Sequence, residues 1–223
     1  MRGEDTRAPD ALVAAIIARA GKIALLAAGS ERWRTTPGYT LVPIALPGGP
    51  VDAGEAPASA VTRHCARLVG GAATARSSRA TYGPSPAHRI DRLPRDEGDA
   101  PHPLLRYTRG MMTEAEAGET IRTTVIRAYL AAPEDTPTPS VDLAGLLWLT
   151  PEALRVAVRG IPFGEVTDLP GGAEWVAGPA HPLPDDAFIY VPGDYGERHL
   201  LRIVAKYGRR ALESEDDEHE PGV

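Results

Sequence analysis

Apolar residues recur along the chain in short runs, and most of these runs have the length and composition of β-strands. Two of them, 39–46 (YTLVPIAL) and 121–132 (IRTTVIRAYLAA), are rich in β-branched and aromatic residues. Residues 22–28 (KIALLAA) form a third apolar run, which a Gly-Ser turn closes. Further strands are predicted at 73–83, 104–112, 145–150 and 187–191. The pattern therefore predicts a fold with a substantial β-sheet.

Helical signals occur at four places between these strands. The Ala-rich stretch 11–21 follows Asp10 and ends in Gly21, which are typical residues for the two ends of a helix, so we expect a short buried helix there. Helices are also predicted at about 57–69, from Thr150-Pro151-Glu152 onward, and at 196–212. Strands and helices that mix without strict alternation predict an α/β (α+β) domain, a mixed sheet between helices.

Three stretches read as loops. Residues 84–103, which are dense in Pro, Asp and Arg, and residues 160–187, which contain several Pro and Gly, are predicted as long surface loops. The acidic segment 113–119 (TEAEAGE) is predicted as a loop or a short helical turn.

Composition is that of a globular protein, with 223 residues, 43% of them hydrophobic and 24% charged. No apolar run is long enough to span a bilayer, and the first ten residues lack the layout of a secretory signal. We therefore expect a cytoplasmic protein with no membrane partner. The single cysteine, Cys65, excludes an intrachain disulfide framework and any cysteine-rich zinc site.

Charge is concentrated at the C-terminal end. The net charge is -6, and the run ESEDDEHE at 213–220 contains six acids and no Lys or Arg, so the remaining chain is neutral overall. This composition predicts a single domain over 1–212 followed by a disordered acidic tail at 213–223. No basic stripe is present, and nucleic acid is not an expected partner.

One stretch, residues 47–71 (PGGPVDAGEAPASAVTRHCARLVGG), has the outline of a phosphate-chemistry motif. Gly49 is followed after five residues by Glu55, after seven more by Arg63, and Gly70 ends the pattern. This spacing resembles the Nudix hydrolase family, whose box runs Gly, five residues, Glu, seven residues, then Arg-Glu-apolar-any-Glu-Glu-any-Gly. The resemblance covers roughly residues 20–160 and implies a Nudix fold, with 161–212 as an extension packed on it.

The catalytic half of the box departs from that pattern. Where the family has three glutamates, this chain has His64, Arg67 and Leu68, whose i, i+3, i+4 spacing places them on one face of a helix. In the family that face presents carboxylates to Mg²⁺, which needs oxygen ligands in near-octahedral geometry. An imidazole, a guanidinium and an isobutyl group supply none, and a fixed positive charge repels the metal. We therefore do not expect ordinary Nudix metal catalysis at this helix.

The retained and replaced residues each allow two interpretations. Glu55 and Arg63 either contact a ligand or only brace the loop before the helix, and we favour bracing because a lone acid seldom holds magnesium. His64 and Arg67 either bind phosphate directly, as cations in place of the metal, or are drifted surface residues. Cys65 occupies an apolar position of the box and is interpreted as a small buried hydrophobe.

Acids elsewhere in the chain are candidates for rebuilding a metal site. Glu114, Glu116 and Glu119 are weak catalytic candidates, because some Nudix enzymes take a base from a loop. A second set lies in the predicted 84–103 loop and comprises Asp91, Asp96, Glu97 and Asp99. The tryptophans Trp33, Trp148 and Trp175 are candidates for stacking on a ring, although packing is the more common use.

Three hypotheses follow. The first is a non-hydrolysing Nudix relative that binds a small phosphorylated or nucleotide-like ligand, or serves as an interaction module, without a cofactor. The second is an active Nudix-type pyrophosphohydrolase of nucleoside-diphosphate-linked substrates, using loop carboxylates with Mg²⁺ or Mn²⁺. The third is a purely structural subunit. A homodimer is compatible with the resemblance, and the sequence itself does not indicate one.

Overall fold

The computed structural model describes residues 11–84, 90–96, 100–115, 118–192, 201–202 and 204–206, with the backbone alone at 109–115 and 118–122. The predicted acidic tail lies outside these residues. The described strands, in chain order, are β1 (Ala11–Arg19), β2 (Lys22–Ala28), β3 (Arg34–Thr36), β4 (Tyr39–Ala45), β5 (Gly48–Pro50), β6 (Ala73–Arg76), β7 (Thr81–Pro84), β8 (Ile90–Leu93), β9 (Leu105–Ala115), β10 (Gly118–Pro133), β11 (Leu143–Leu149), β12 (Ile161–Pro162), β13 (Ala173–Ala177) and β14 (Ala187–Tyr190). The α-helices are α1 (Pro57–Val69) and α2 (Pro151–Ala157), and 3-10 turns cover Ser30–Arg32 and Phe163–Asp168.

The strands form one branched mixed sheet. Along its main path the order is β12-β14-β4-β2-β1-β10-β9-β7-β8, with β11 paired to β2 and β5 paired to β1. Strand β1 runs parallel to β10, from Ala11 opposite Val125 to Ile17 opposite Ala131. The contacts of β1 with β2 and β5 are antiparallel.

Two hydrophobic clusters cover the two faces of this sheet. Alternate residues of β1 enter different clusters: Val13 and Ile17 contact the cluster that includes α1, whereas Ala14 and Ile16 contact the cluster that includes α2. The second cluster also contains Leu201, Val204 and Ala205, and residues 201–202 and 204–206 are helical. The predicted class, a mixed sheet between helices, is confirmed. The rest of the predicted helix 196–212 lies outside the described residues.

The prediction of a helix at 11–21 is wrong, since these residues form β1 and the turn that follows it. Burial explains the difference: both faces of β1 are covered, so an all-apolar run satisfies a strand. Ala20 and Gly21 have φ values of 49° and 72°, and Arg19 pairs with Lys22 across them. The glycine interpreted as a helix end is thus the second residue of a two-residue hairpin turn.

The predicted loops also contain regular structure. The 84–103 stretch includes β8, which pairs with β7, and the 160–187 stretch includes β12, β13 and a 3-10 turn. The predicted strand 73–83 is two strands, β6 and β7. The acidic segment 113–119 is neither a loop nor a helical turn where it is described, because Glu114 and Glu119 lie opposite each other in the β9–β10 hairpin.

None of the helices in the described part of the chain has both the length and the apolar character needed to cross a membrane.

Candidate functional site

Gly48 and Gly49 of β5 allow β5 to lie very close to both β1 and α1. A side chain at Gly48 would overlap the carbonyl of Val13, and one at Gly49 would overlap the ring of His64. Strand β5 pairs with β1 at these positions, with Gly49 opposite Val13. The two glycines therefore let β5 lie between β1 and the helix that follows.

The loop between β5 and α1 is closed by Arg63. Its Nε donates to Oε1 of Glu55 at 2.9 Å and its Nη2 to Oε2 at 2.6 Å, while Nη2 also reaches the carbonyl of Pro50 at 3.0 Å. The backbone N–H of Asp52 donates to Oε2 of Glu55 at 3.0 Å. The Arg63 hydrogen bond, with that backbone bond second, lowers the pKa of Glu55 to about 2. Both oxygens of Glu55 are engaged within the loop, which supports the bracing interpretation.

Gly70 ends α1 as the motif predicts. It takes a left-handed conformation with φ of 69°. The segment after β10 then satisfies carbonyls of the last helical turn: Thr138 N–H donates to the Val69 carbonyl at 2.9 Å and Ser140 N–H to the Leu68 carbonyl at 3.1 Å. The frame of the box therefore fixes both ends of the helix.

His64 lies inside the protein. Its side chain is only 2% exposed, and its Nε2 is 2.9 Å from the Pro50 carbonyl. A carbonyl only accepts, so Nε2 is the donor in this hydrogen bond. Nδ1 is buried and has no hydrogen-bond partner among the described residues. His64 is therefore enclosed and binds the β5 backbone.

The neighbouring positions of the helix differ from His64. Arg67 is exposed and Leu68 is half-buried. Cys65 is fully buried, and burial raises the pKa of its thiol to about 12. A protonated, inaccessible thiol has the role of a small hydrophobe, as expected from its position in the box.

This donor set does not fit a magnesium ion. Glu55 is held by Arg63, His64 by the Pro50 carbonyl, and Arg67 is a cation. Among the described residues, no group of three or more His, Cys, Asp or Glu side chains is placed to hold a metal. The face that carries the carboxylates in the Nudix family thus presents no oxygen ligands here.

A cavity of about 490 Å³ opens beside this face of α1. It lies where β1 and β2 diverge. These two strands pair with each other only next to the turn that joins them. Away from that turn, β1 pairs with β5 and β10, and β2 pairs with β11 and β4. The lining comes from both sides of that gap, including Leu12 and Ala14 of β1 and Leu26 of β2. Its size is in the usual range of small-molecule pockets.

Two arginines line this cavity, Arg67 of α1 and Arg32 of the turn after β2. In the described part of the chain neither makes an ion pair or a hydrogen bond, in contrast to Arg63 and Arg106, which pair with acids. No Asp or Glu is among the described lining residues. Both arginines are exposed, so they give the cavity a positive rim, which suits an anion.

The turn that carries Arg32 is anchored to the C-terminal part of the chain. The backbone N–H of Ser30 is 3.3 Å and its Oγ 3.0 Å from Nδ1 of His181. The N–H can only donate, so Nδ1 accepts from both groups of Ser30. Pro192 and Leu201 complete the cavity wall from the same part of the chain.

The predicted site residues separate into two groups. Arg67 lines the cavity, whereas His64, Glu55 and Arg63 are held in the frame beside it. Arg32 was not predicted, because an arginine after a Gly-Ser turn has no distinguishing signal in one sequence.

The acidic candidates lie away from the cavity or outside the described residues. Glu119 is seven residues along β10 from Ile126, a lining residue, or roughly 23 Å of extended strand. Glu116 lies outside the described residues, as do Glu97 and Asp99 of the second set. Asp91 is on β8, and Asp96 accepts from Arg106 at 2.8 Å.

The three tryptophans are used in packing. Trp148 is fully buried under the guanidinium of Arg19, at 4.5 Å from its ring centre. Trp33 donates to the Ala28 carbonyl at 2.7 Å, and Trp175 packs edge-on against Phe163 at 5.0 Å. None of them is among the described lining residues.

Comparison with known proteins yields matches among solved structures. No protein-family model matches the chain, and no curated protein matches it. The chain is similar to a NUDIX hydrolase from Nitrosomonas europaea, with 15% identity and a TM-score of 0.41 over 67% of this chain and 77% of that one. It is similar to a MutT protein from Methanosarcina mazei, with 15% identity and a TM-score of 0.37 over 97% and 99% of the two chains. It is also similar to an ADP-ribose pyrophosphatase from Streptococcus suis, with 12% identity and a TM-score of 0.37 over 95% and 96%.

The Nitrosomonas europaea protein is named for the family that the box resembles. The resemblance of this chain rests on the frame of residues 47–71 and on its geometry, a glycine strand, a braced loop and a helix ended by Gly70.

Proposed function

We propose that this protein binds a small phosphorylated ligand without a divalent metal, in the cavity beside α1, and does not hydrolyse it by the Nudix metal route. The observation that carries the proposal is the position of Arg67. It stands where the family has a metal-binding glutamate, lines the cavity with Arg32, and has no acidic partner in the described part of the chain.

The physical basis is charge substitution. A divalent metal held by carboxylates neutralises a diphosphate, and two guanidinium groups supply the same charge directly. Guanidinium groups also donate several hydrogen bonds in a planar fork that matches phosphate oxygens. A ligand bound in this way needs no cation, so its affinity should be independent of chelator.

The test is titration calorimetry with pyrophosphate and with ADP-ribose, in EDTA and in Mg²⁺. We expect binding in both buffers, weakened about tenfold to hundredfold by Arg67→Gln, since hydrogen bonds to charged groups contribute about 1.5–3 kcal/mol. Arg159→Gln is the matched control, because Arg159 is exposed at the end of α2 and does not line the cavity.

The alternative is a metal-dependent hydrolase that uses the acids of 113–119. Phosphate release from the same compounds in Mg²⁺ or Mn²⁺, abolished by EDTA, would support it and contradict the proposal. In that event Glu114→Gln and Glu119→Gln should lower the rate.

A further inference from the structure

The cavity has an aliphatic interior behind its cationic rim. Of its eighteen described lining residues, thirteen are Ala, Val, Leu, Ile or Pro, and the polar side chains among them are Arg32, Arg67 and Tyr107. Three of the aliphatic lining residues, Leu26, Ile126 and Leu143, are each less than 10% exposed. The aliphatic side chains of this lining stabilise an apolar body by burial.

A nucleobase fits this lining poorly. Its ring edge carries several hydrogen-bond donors and acceptors, and each one that is buried without a partner weakens binding. Stacking is the usual way to hold the face of a base, and all three tryptophans are packed elsewhere, as described above. Among the described lining side chains, Tyr107 alone has an aromatic ring, and only Arg32, Arg67 and Tyr107 have polar groups, so few side chains are placed to select a base.

We propose, on the basis of the proposed function, that the ligand is a phosphate or diphosphate ester of an aliphatic alcohol. Its anionic head lies at the rim with Arg32 and Arg67. Its hydrocarbon chain enters the gap between β1 and β2, past Leu68. The replacement of the last box glutamate by Leu68 has a direct role here: it extends the apolar wall up to the arginine beside it.

The experiment measures affinity along a series of n-alkyl diphosphates from butyl to decyl. Titrations are made in EDTA, at concentrations below those at which the chains aggregate, with pyrophosphate and ADP as comparison probes. Burial of each methylene contributes about 0.8 kcal/mol, so the affinity should rise about threefold to fourfold per carbon and then level off when the cavity is filled. ADP should bind no more tightly than butyl diphosphate.

Two variants separate the head from the chain. Arg67→Gln should weaken all members of the series by the same factor and leave the gain per carbon unchanged. Leu68→Gln should reduce the gain per carbon, because it interrupts the apolar wall. Ala45→Leu is an independent variant: Ala45 lines the cavity and is half-buried, and the larger side chain should make the affinity level off at a shorter alkyl chain. Circular dichroism checks that each variant is folded, and Arg159→Gln is again the control.

Other outcomes are equally clear. If pyrophosphate and ADP bind as tightly as decyl diphosphate, or more tightly, the aliphatic ligand is wrong and the proposed phosphate-binding function stands. If none of these probes binds, both proposals fall.

Discussion

Arg63 donates a hydrogen bond to each carboxylate oxygen of Glu55, with N–O distances of 2.9 and 2.6 Å. The pair lies between the glycine strand β5 and the helix α1, and it also reaches the carbonyl of Pro50. An acid and an arginine that are part of a catalytic box in the Nudix family are thus sufficient, in this chain, to hold a loop closed. The pair thus gives the frame a structural role that requires no metal ligand.

The ion pair makes stability depend on pH in a defined window. The folded protein lowers the pKa of Glu55 from 4.5 to about 2. The contribution of the ionised Glu55 to the stability of the fold is therefore fully present above about pH 4.5 and is lost as the pH falls toward 2. Glu55→Gln should therefore lower the urea midpoint near pH 6 and have no effect near pH 2. Urea unfolding of both proteins across this range makes the comparison.

A control is available in Glu165, which is exposed and makes no ion pair among the described residues. Glu165→Gln should give the same midpoint as the parent protein at each pH. A Glu55→Gln deficit of constant size from pH 6 to pH 2 would contradict the proposed bracing role.

Gly49 and His64 should be energetically coupled. Gly49→Ala places a methyl group against the His64 ring and should cost about 1–3 kcal/mol of stability, as overpacking of a close-packed site does. His64→Ala removes the obstacle, so the double variant should be more stable than the sum of the two single changes by at least about 1 kcal/mol. The free energies of unfolding of all four proteins in urea complete the cycle.

Gly48→Ala is the control for the Gly49–His64 double-mutant cycle. A methyl group there would overlap the Val13 carbonyl, which is backbone and cannot be removed by mutation of His64. Gly48→Ala and His64→Ala should therefore be additive within about 0.5 kcal/mol. Equal coupling for both glycines would show that the steric assignment is wrong.

Cys65 should be unreactive in the folded protein. Burial raises the pKa of its thiol to about 12, so at pH 8 roughly one thiol in ten thousand is ionised. We expect no modification by Ellman's reagent in buffer and complete modification of one thiol in urea, because the chain has a single cysteine. Rapid stoichiometric reaction without denaturant would contradict the packing of α1, and Cys65→Ala gives the blank.

Thr150 should contribute to stability as the cap of α2. Its Oγ1 accepts from the Ala153 N–H at 3.1 Å and donates to the Pro170 carbonyl at 2.7 Å. Thr150→Ala should cost about 1–2 kcal/mol, and Thr150→Ser, which retains the hydroxyl, should cost much less. The midpoint of urea unfolding distinguishes the two variants.

Local signals in the sequence were sufficient to predict those helix ends and strands that depend only on neighbouring residues. Thr150-Pro151 begins α2, Gly70 ends α1, and the β-branched run of β10 is a strand, as predicted. Arg67 was identified by spacing from Gly49, because a helix that starts after the glycines fixes which residues share a face.

The remainder depends on contacts between distant residues. The Ala-rich β1 has a local preference for helix, and burial between two layers overrides it. His64 is on the predicted face of α1, yet β5 covers it, and the pairing of β5 with β1 is not visible in the sequence. Arg32 joins Arg67 only because β1 and β2 diverge, a property of the whole sheet.

The turn between β1 and β2 offers a substitution that should stabilise the protein, unlike the substitutions above. Ala20 has φ of 49°, in the left-handed region, which costs an L-residue with a Cβ about 1–2 kcal/mol and which asparagine tolerates better. Since Gly21 follows it, Ala20→Asn creates an Asn-Gly pair, the preferred sequence for a two-residue turn of this kind. We expect Ala20→Asn to stabilise the protein by about 0.5–1 kcal/mol, and Ala20→Val to destabilise it because a β-branched side chain is strained at positive φ. Urea unfolding of the two variants measures both changes. If Ala20→Asn destabilised the protein as much as valine does, the chain from 11 to 21 would not be the hairpin that positions β1 beside the cavity.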